Sequence, residues 1–469
     1  MPNKSADLQS HDDTDYSVIE KVGMAFGHSP SGLLLPGTDK TTEREAIRLC
    51  ARDYLEHHVY FNEAQFHNHL NHHLLAVFSM GGSAKRLQEI FDGNRTMQRP
   101  TMPLHETEIN ARNFTEFLSK EENYPRFLAF FHKELDAAGD DWHAVVKKYT
   151  IDSGMFTYLM SGIYHPFIQL GYGLEFDSKA LTAMALAQAC VHDPRISESY
   201  YSESFEEMRA NLASNPDNDI SLLQVLEKLR DERSVADIEF KPFMFFGENI
   251  GLGNHLAAKY GKLWTISVDE KAISAKYDEL LSTAALLYIS MTRPGHKQIL
   301  DFFTMHCLTS AYFLPIIFEI LSTEQKARVL HAHSIVMLQI YSFTGAPKVY
   351  ITPEHIADDT NAVASKLYGE SDANPWLDVF RDAINHTDIH VPKVIRALWR
   401  GNVLSTLRED GGAEQKAPSV NWLYIARTTL DTITTDSFVP PNDEKNKSKQ
   451  FFNMGMYGYD QFWESHEKN

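Results

Sequence analysis

The chain has 469 residues, 43% apolar and 23% charged, and its 63 acidic against 44 basic side chains give a formal charge of −19. That balance suits a globular protein with an ordinary core, and the net acidity would repel a phosphate backbone, which excludes nucleic acid as a partner. No apolar run reaches the roughly 18 to 20 residues a membrane span needs, and the first twenty residues lack the apolar core of a signal peptide. The expectation is a cytoplasmic protein without a membrane partner.

Residues 1–40 are polar and broken by SPSG and LPGT, which predicts an irregular arm leading into a single helical body over 41–469. From Thr42 onward apolar spacings of three and four predict helices over 43–60, 63–79, 124–137, 154–170, 178–190 and 217–230. The same spacing continues over 269–290, 297–321, 324–342, 374–386 and 393–405. Alternating β-branched patterns are nearly absent, so the fold class is all-α. Near residue 440 the chain turns charged, PPNDEKNKSK, and ends in FFNMGMYGYDQFW, an aromatic tail expected to dock back on the body. The cysteines, Cys50, Cys190 and Cys307, are far apart and form no CxxC pair, which points away from a disulfide framework or a zinc ribbon.

A nucleotide or flavin site usually needs a glycine-rich turn between strand and helix, because only glycine lets the backbone approach a pyrophosphate. The nearest candidate, Gly247, Gly251 and Gly253 in GENIGLGN, breaks that spacing. The chain also lacks GxxxxGK[ST], GxSxG and HExxH, and it has no Glu three residues before a His, which argues against a di-iron carboxylate bundle.

What stands out is 22 histidines. In FHNHLNHHLLAVF, an apolar stripe of Phe66, Leu70, Leu74 and Val77 takes in His73 and, at its edge, His69, whereas His72 points away. A single imidazole on such a stripe reads first as a core residue bonded to a carbonyl, but two at i, i+4 can converge on one metal. His165 precedes Pro166, which predicts a bend at that point of its helix. His306 lies on a stripe with Ile299, Phe302, Phe303 and Phe313 and needs a buried partner. In AINHTDIHVPKVIRALWR, His386, His390 and Lys393 fall within about 60° on a helical wheel, and Pro392 makes this a first turn, with Asp388 as a possible N-cap, or a kink.

Taken together, the blocks NHLNHHLLAVFSMGG, HPFIQLGYGLEF, RPGHKQILDFFTMHCLTS, HTDIHVPKVIRAL and GMYGYD resemble the questin oxidase-like family of fungal polyketide pathways, from about residue 50 to the tail. The resemblance implies oxidative opening of anthraquinone-type rings, formally a Baeyer-Villiger insertion or a ring cleavage, without a flavin-binding fold. It implies His69, His165, His306 and His390 as ligands of a non-haem metal, with iron expected. It further implies Lys393, carboxylated on its ε-nitrogen, as the anionic ligand. His72 and His386 match family positions as partners that orient an imidazole, with His73 and Asp388 as alternative ligands. The expected partners are an aromatic polyketide and O2, with NADPH or another reductant as co-substrate. Tyr164 and Tyr172, flanking His165, are candidate proton donors. Two other readings stay open: a zinc hydrolase using the same histidines, and a non-catalytic helical scaffold.

Overall fold

The computed structural model describes residues 15–104, 107–216, 219–232, 250–356, 374–407, 417–434, 452, 457–464, 466 and 468. Among them helices carry the regular structure, and β pairing is limited to three isolated bridges. The all-α expectation holds. No described helix is long and apolar enough to cross a membrane.

The helix starts follow from local chemistry. Asp39 accepts from Thr42 N, Asp269 from Ala272 N and Asp301 from Thr304 N, while Ser221 and Ser322 each close a capping box with a glutamine three residues on. Each cap satisfies a backbone donor that the first turn leaves open. The predicted 124–137, 178–190 and 269–290 appear as Tyr124–Ala137, Lys179–Val191 and Glu270–Ile289. The helices Ala84–Asn94, Tyr200–Ser214, Ile250–Gly261 and Trp422–Thr432 escaped the sequence reading, although the first and last carry a clear apolar face.

Four helices form a closed ring of neighbours around the interior: Leu70–Ser79, His165–Glu175, Phe302–Ala311 and Val391–Leu407. Each packs against the next, and the fourth returns to the first. A buried ion pair braces this ring, because Arg396 on Val391–Leu407 donates to Glu175 at the end of His165–Glu175. Tyr312 joins them, its hydroxyl donating to Glu175 at 2.6 Å and accepting from Arg396 at 2.9 Å. Tyr312 meets part of what burial leaves open in such a pair, while Glu175 Oε2 and Arg396 Nε have no hydrogen-bond partner among the described residues.

The predicted arm packs on this body. After a short helix, Ser17–Val22, it runs without regular structure to Lys40, and its amides of Ser29 and Leu33 reach the Glu175 carbonyl and carboxylate. At the other end Phe452, Tyr457 and Trp463 are buried, with Trp463 Nε1 donating to the Tyr457 carbonyl at 2.8 Å. The charged linker near residue 440 and Gly247 lie outside the described residues.

Candidate metal centre and its cavity

Three of the ring's histidines sit at helix starts rather than inside helices. The expected helix over 63–79 begins only at Leu70, so His69 is its N-cap, while His67 lies in an extended bridge with Tyr60. The expected bend at His165 is instead a true beginning: 154–170 splits into Phe156–Leu159 and His165–Glu175, with Pro166 in the first turn, where its missing N–H costs nothing. His390 directly precedes Val391–Leu407, so of the two readings of Pro392 the first turn is the right one. Asp388, ahead of that helix's first turn, holds its entry, its Oδ1 accepting from His390 N at 2.7 Å. His306 lies inside Phe302–Ala311.

The chain reaches His165 through three successive left-handed residues, Gly162 (φ 57), Ile163 (φ 55) and Tyr164 (φ 64). For Ile and Tyr this is strained, at about 1–3 kcal/mol each. The turn's product is the aim of His165, whose Nδ1 donates back to the Gly162 carbonyl at 2.6 Å. Gly162 is obligatory for a second reason, because a Cβ there would sit 2.4 Å from His192 Nε2.

The same tether recurs at all four histidines. Nδ1 of His69 donates to the His67 carbonyl at 2.6 Å, His306 to the Phe302 carbonyl at 2.7 Å, and His390 to the Asp388 carboxylate at 3.1 Å. With Nδ1 carrying the proton, each neutral ring presents its Nε2 lone pair. Those of His69 and His165 face each other at 2.9 Å, and the donor atoms of His69, His306 and His390 lie within 4.8 Å of one another. His306 Nε2 has no hydrogen-bond partner among the described residues. Lone pairs converging in a dry interior repel unless a cation lies between them. Two imidazoles bound at about 2.0–2.1 Å to one ion would stand roughly 3 Å apart, so the donor set fits a transition metal.

The protonation states agree. Burial, reinforced by Lys393 or by neighbouring imidazoles, holds His69, His165 and His306 well below the usual imidazole value, and His390 falls to about 4 although Asp388 opposes the shift. Lys393, 4% exposed, lies within electrostatic reach of the same histidines, and burial, partly offset by Asp388, pushes it down to about 7. A large share is therefore the neutral amine at neutral pH.

The remaining expected residues surround this centre. His72, which the helical wheel turned away, is buried, its Nε2 bonded to Gln169 Oε1 at 2.8 Å and its ring 5.7 Å from that of His69. His73, which the wheel preferred, has neither ring nitrogen hydrogen-bonded and is not part of the cluster. The wheel turned His72 away because it assumed one buried face, whereas every residue of Leu70–Ser79 is buried. His386 accepts from Asp388 N at Nδ1 and donates to the Ile433 carbonyl, which fixes the Asp388 loop from behind. Tyr164 commits its hydroxyl to the His333 carbonyl at 2.7 Å, and Tyr172 stacks on His72, its buried hydroxyl without a hydrogen-bond partner among the described residues.

Beside the centre lies a cavity of about 390 Å³, with His69 and His165 on one wall and mostly apolar side chains elsewhere, including Phe302, Phe303, Val336, Ile340 and Phe343. Sequence reasoning missed two of its residues, His67 and His192. The His67 ring stacks on His165 at 3.7 Å, and its Nε2 meets His192 Nε2 at 2.7 Å. His192 stands at a helix end before Asp-Pro, a position without periodicity to mark it.

The sequence profile described as Questin oxidase-like matches residues 66–398, a span that contains every histidine of the cluster and Lys393. The chain belongs to that family. Its family relatives include the Baeyer-Villiger oxidase ptaJ of Pestalotiopsis fici, 30% identical over 418 residues covering 85% of this chain and 89% of the relative. The questin oxidase of Aspergillus fumigatus is 30% identical over 417 residues, 82% of this chain and 88% of that one. The Baeyer-Villiger oxidase AgnL3 of Paecilomyces divaricatus is 28% identical over 409 residues, 83% and 85% respectively.

Proposed function

We propose that this family member is a metal-dependent oxygenase that inserts an oxygen atom beside a ring carbonyl of an anthraquinone-type polyketide and so breaks a ring C–C bond. The observation that carries the reading is the convergence of the donor atoms of His69, His306 and His390, with His165 Nε2 set 2.9 Å from that of His69, beside a largely apolar cavity that His69 and His165 line. The relatives' names, questin oxidase and Baeyer-Villiger oxidase, supply the reaction class.

His69, His165, His306 and His390 would hold the metal, with iron the expected ion, and bound there it would supply O2 binding and Lewis acidity. Lys393 completes the set as a carbamate: its neutral amine adds CO2 and releases a proton, which provides the negative charge that four imidazoles lack. The Asp388 carboxylate instead faces His390 Nδ1, where it raises the basicity of the opposite nitrogen. Phe302, Phe303 and Phe343 exclude water and pack a flat aromatic ring. Insertion of one oxygen atom consumes O2 and two reducing equivalents, with the second oxygen leaving as water. The electrons come from NADPH or from the reduced, hydroquinone form of the substrate.

Elemental analysis and oxygen uptake test this together. The expected result is about one iron per chain and O2 consumption dependent on a hydroxyanthraquinone, measured with and without NADPH. Less than a tenth of an equivalent of any transition metal after reconstitution removes the metal centre. Stoichiometric zinc with turnover that ignores O2 makes the protein a hydrolase.

A further inference from the structure

The helix Thr323–Phe343 turns one face to the cavity through Val336, Gln339, Ile340 and Phe343, spaced by three and four. Three of these are apolar. The fourth, Gln339, is only 7% exposed, and its Nε2 donates to Asn254 Oδ1 at 2.8 Å on the helix Ile250–Gly261. Asn254 is fixed in turn, because its carbonyl accepts from the Tyr200 hydroxyl at 2.6 Å. Two polar functions of this pair remain, Gln339 Oε1 and Asn254 Nδ2, and neither is hydrogen-bonded to a described residue. Turning both amides over exchanges the roles and again leaves one acceptor and one donor.

We propose that the Gln339–Asn254 amide pair is a substrate-orienting subsite that holds a phenolic hydroxyl of the aromatic substrate, which donates to Gln339 Oε1 and accepts from Asn254 Nδ2. The inference rests on the aromatic-substrate reading above and adds which substituent is recognised and by what. A hydroxyl is donor and acceptor through one atom, which is what the pair lacks. A carbonyl would meet only the donor, and a carboxylate would face the amide oxygen. On the Thr323–Phe343 face of the cavity the pair's neighbours are Val336, Ile340 and Phe343, so a hydroxyl seated there gains two hydrogen bonds that a methyl group in its place cannot make, and the pair favours the hydroxyl. Since His69 and His165 line the same cavity, anchoring the hydroxyl fixes which ring edge they face.

The test compares two flat probes of equal size, 2-hydroxyanthraquinone and 2-methylanthraquinone, by equilibrium binding to the metal-loaded protein at mildly acid pH, where the hydroxyl keeps its proton. Wild type should prefer the hydroxyl probe by about tenfold. Gln339→Leu and Asn254→Ala should each reduce the preference to about twofold or less while binding the methyl probe as wild type does. Should Gln339→Leu fail to fold, Asn254→Ala, at a part-exposed helix position, carries the same comparison. A wild type without preference, or a preference undiminished in the folded variants, overturns the subsite while leaving the aromatic-substrate reading intact. If neither probe binds wild type, the aromatic-substrate reading itself fails and the subsite falls with it.

Discussion

Two sets of buried histidines occupy this helical body, and the contrast between them shows what separates the proposed ligands from packed core residues. His331 and His333, on Thr323–Phe343, are as deeply buried as the cluster, and burial pushes them down to about 4 and about 3. They spend Nε2 on hydroxyls of other segments, His331 with Ser204 at 3.0 Å and His333 with Ser310 at 2.8 Å. His69, His165, His306 and His390 spend Nδ1 on an acceptor within four residues of themselves and turn Nε2 to one another. Burial and a depressed pKa are therefore common to both sets and decide nothing. The direction of Nε2 separates them.

The largest effect should come from exchanging the sets. His306→Ala is expected to stay helical yet lose metal by well over about a hundredfold in affinity, with turnover lost alongside. His331→Ala should keep the metal and cost stability of about 2 kcal/mol through its cavity. Metal analysis of the two purified variants checks the pair, and equal metal content would erase the distinction.

Lys393 sharpens the comparison from the charge side. Lys393→Ala should lose metal affinity and turnover together, whereas an ordinary solvated lysine would cost no more than about 0.5 kcal/mol. In metal-free protein the outcome reverses. The unfolded chain keeps the lysine proton up to about 10.5, while the folded one releases it at about 7. Below about 7 the burial penalty is present in full, and across that window stability rises with pH because the unfolded state binds more protons. Metal-free Lys393→Met should therefore be more stable than metal-free wild type by a few kcal/mol at pH 6. The gap should narrow on titration toward pH 10 in denaturant melts, and a constant gap would mean that Lys393 is not held charged against burial.

Gly162→Ala breaks the aim of one ligand without touching its chemistry. The added Cβ meets His192 Nε2 at 2.4 Å in a left-handed residue, so a loss of about 2–4 kcal/mol is expected. Metal affinity should fall by about ten- to a hundredfold, read by competition with a chelator. The smallest effect belongs to His386→Ala, which frees the Asp388 loop behind His390; about tenfold weaker metal binding with an unchanged fold is expected. Unchanged affinity would leave His386 a packing residue.

Local chemistry made much of this legible in advance. The helices Tyr124–Ala137, Lys179–Val191 and Glu270–Ile289 stand where the residues put them, and the family's motif blocks pointed to His69, His165, His306, His390 and Lys393 as candidates. The helical wheel, by contrast, preferred His73 to His72 because a wheel separates a buried from an exposed face, and Leu70–Ser79 is buried all round. Gly162 hints at a left-handed turn, but nothing in Ile163 or Tyr164 announces that they follow it, since β-branched and aromatic residues take that conformation only when packing over-determines it. His67 and His192 were invisible because they meet across 125 residues.

What the sequence determined by itself is each ligand's tether, because every Nδ1 partner lies two to four residues away along the chain, within reach of local backbone geometry. Only the tertiary structure decided that the donor atoms of His69, His306 and His390 meet, with His165 Nε2 against that of His69, beside one cavity. That meeting depends on the ring closed by Leu70–Ser79, His165–Glu175, Phe302–Ala311 and Val391–Leu407, whose contacts span hundreds of residues and are set by packing rather than by any local signal.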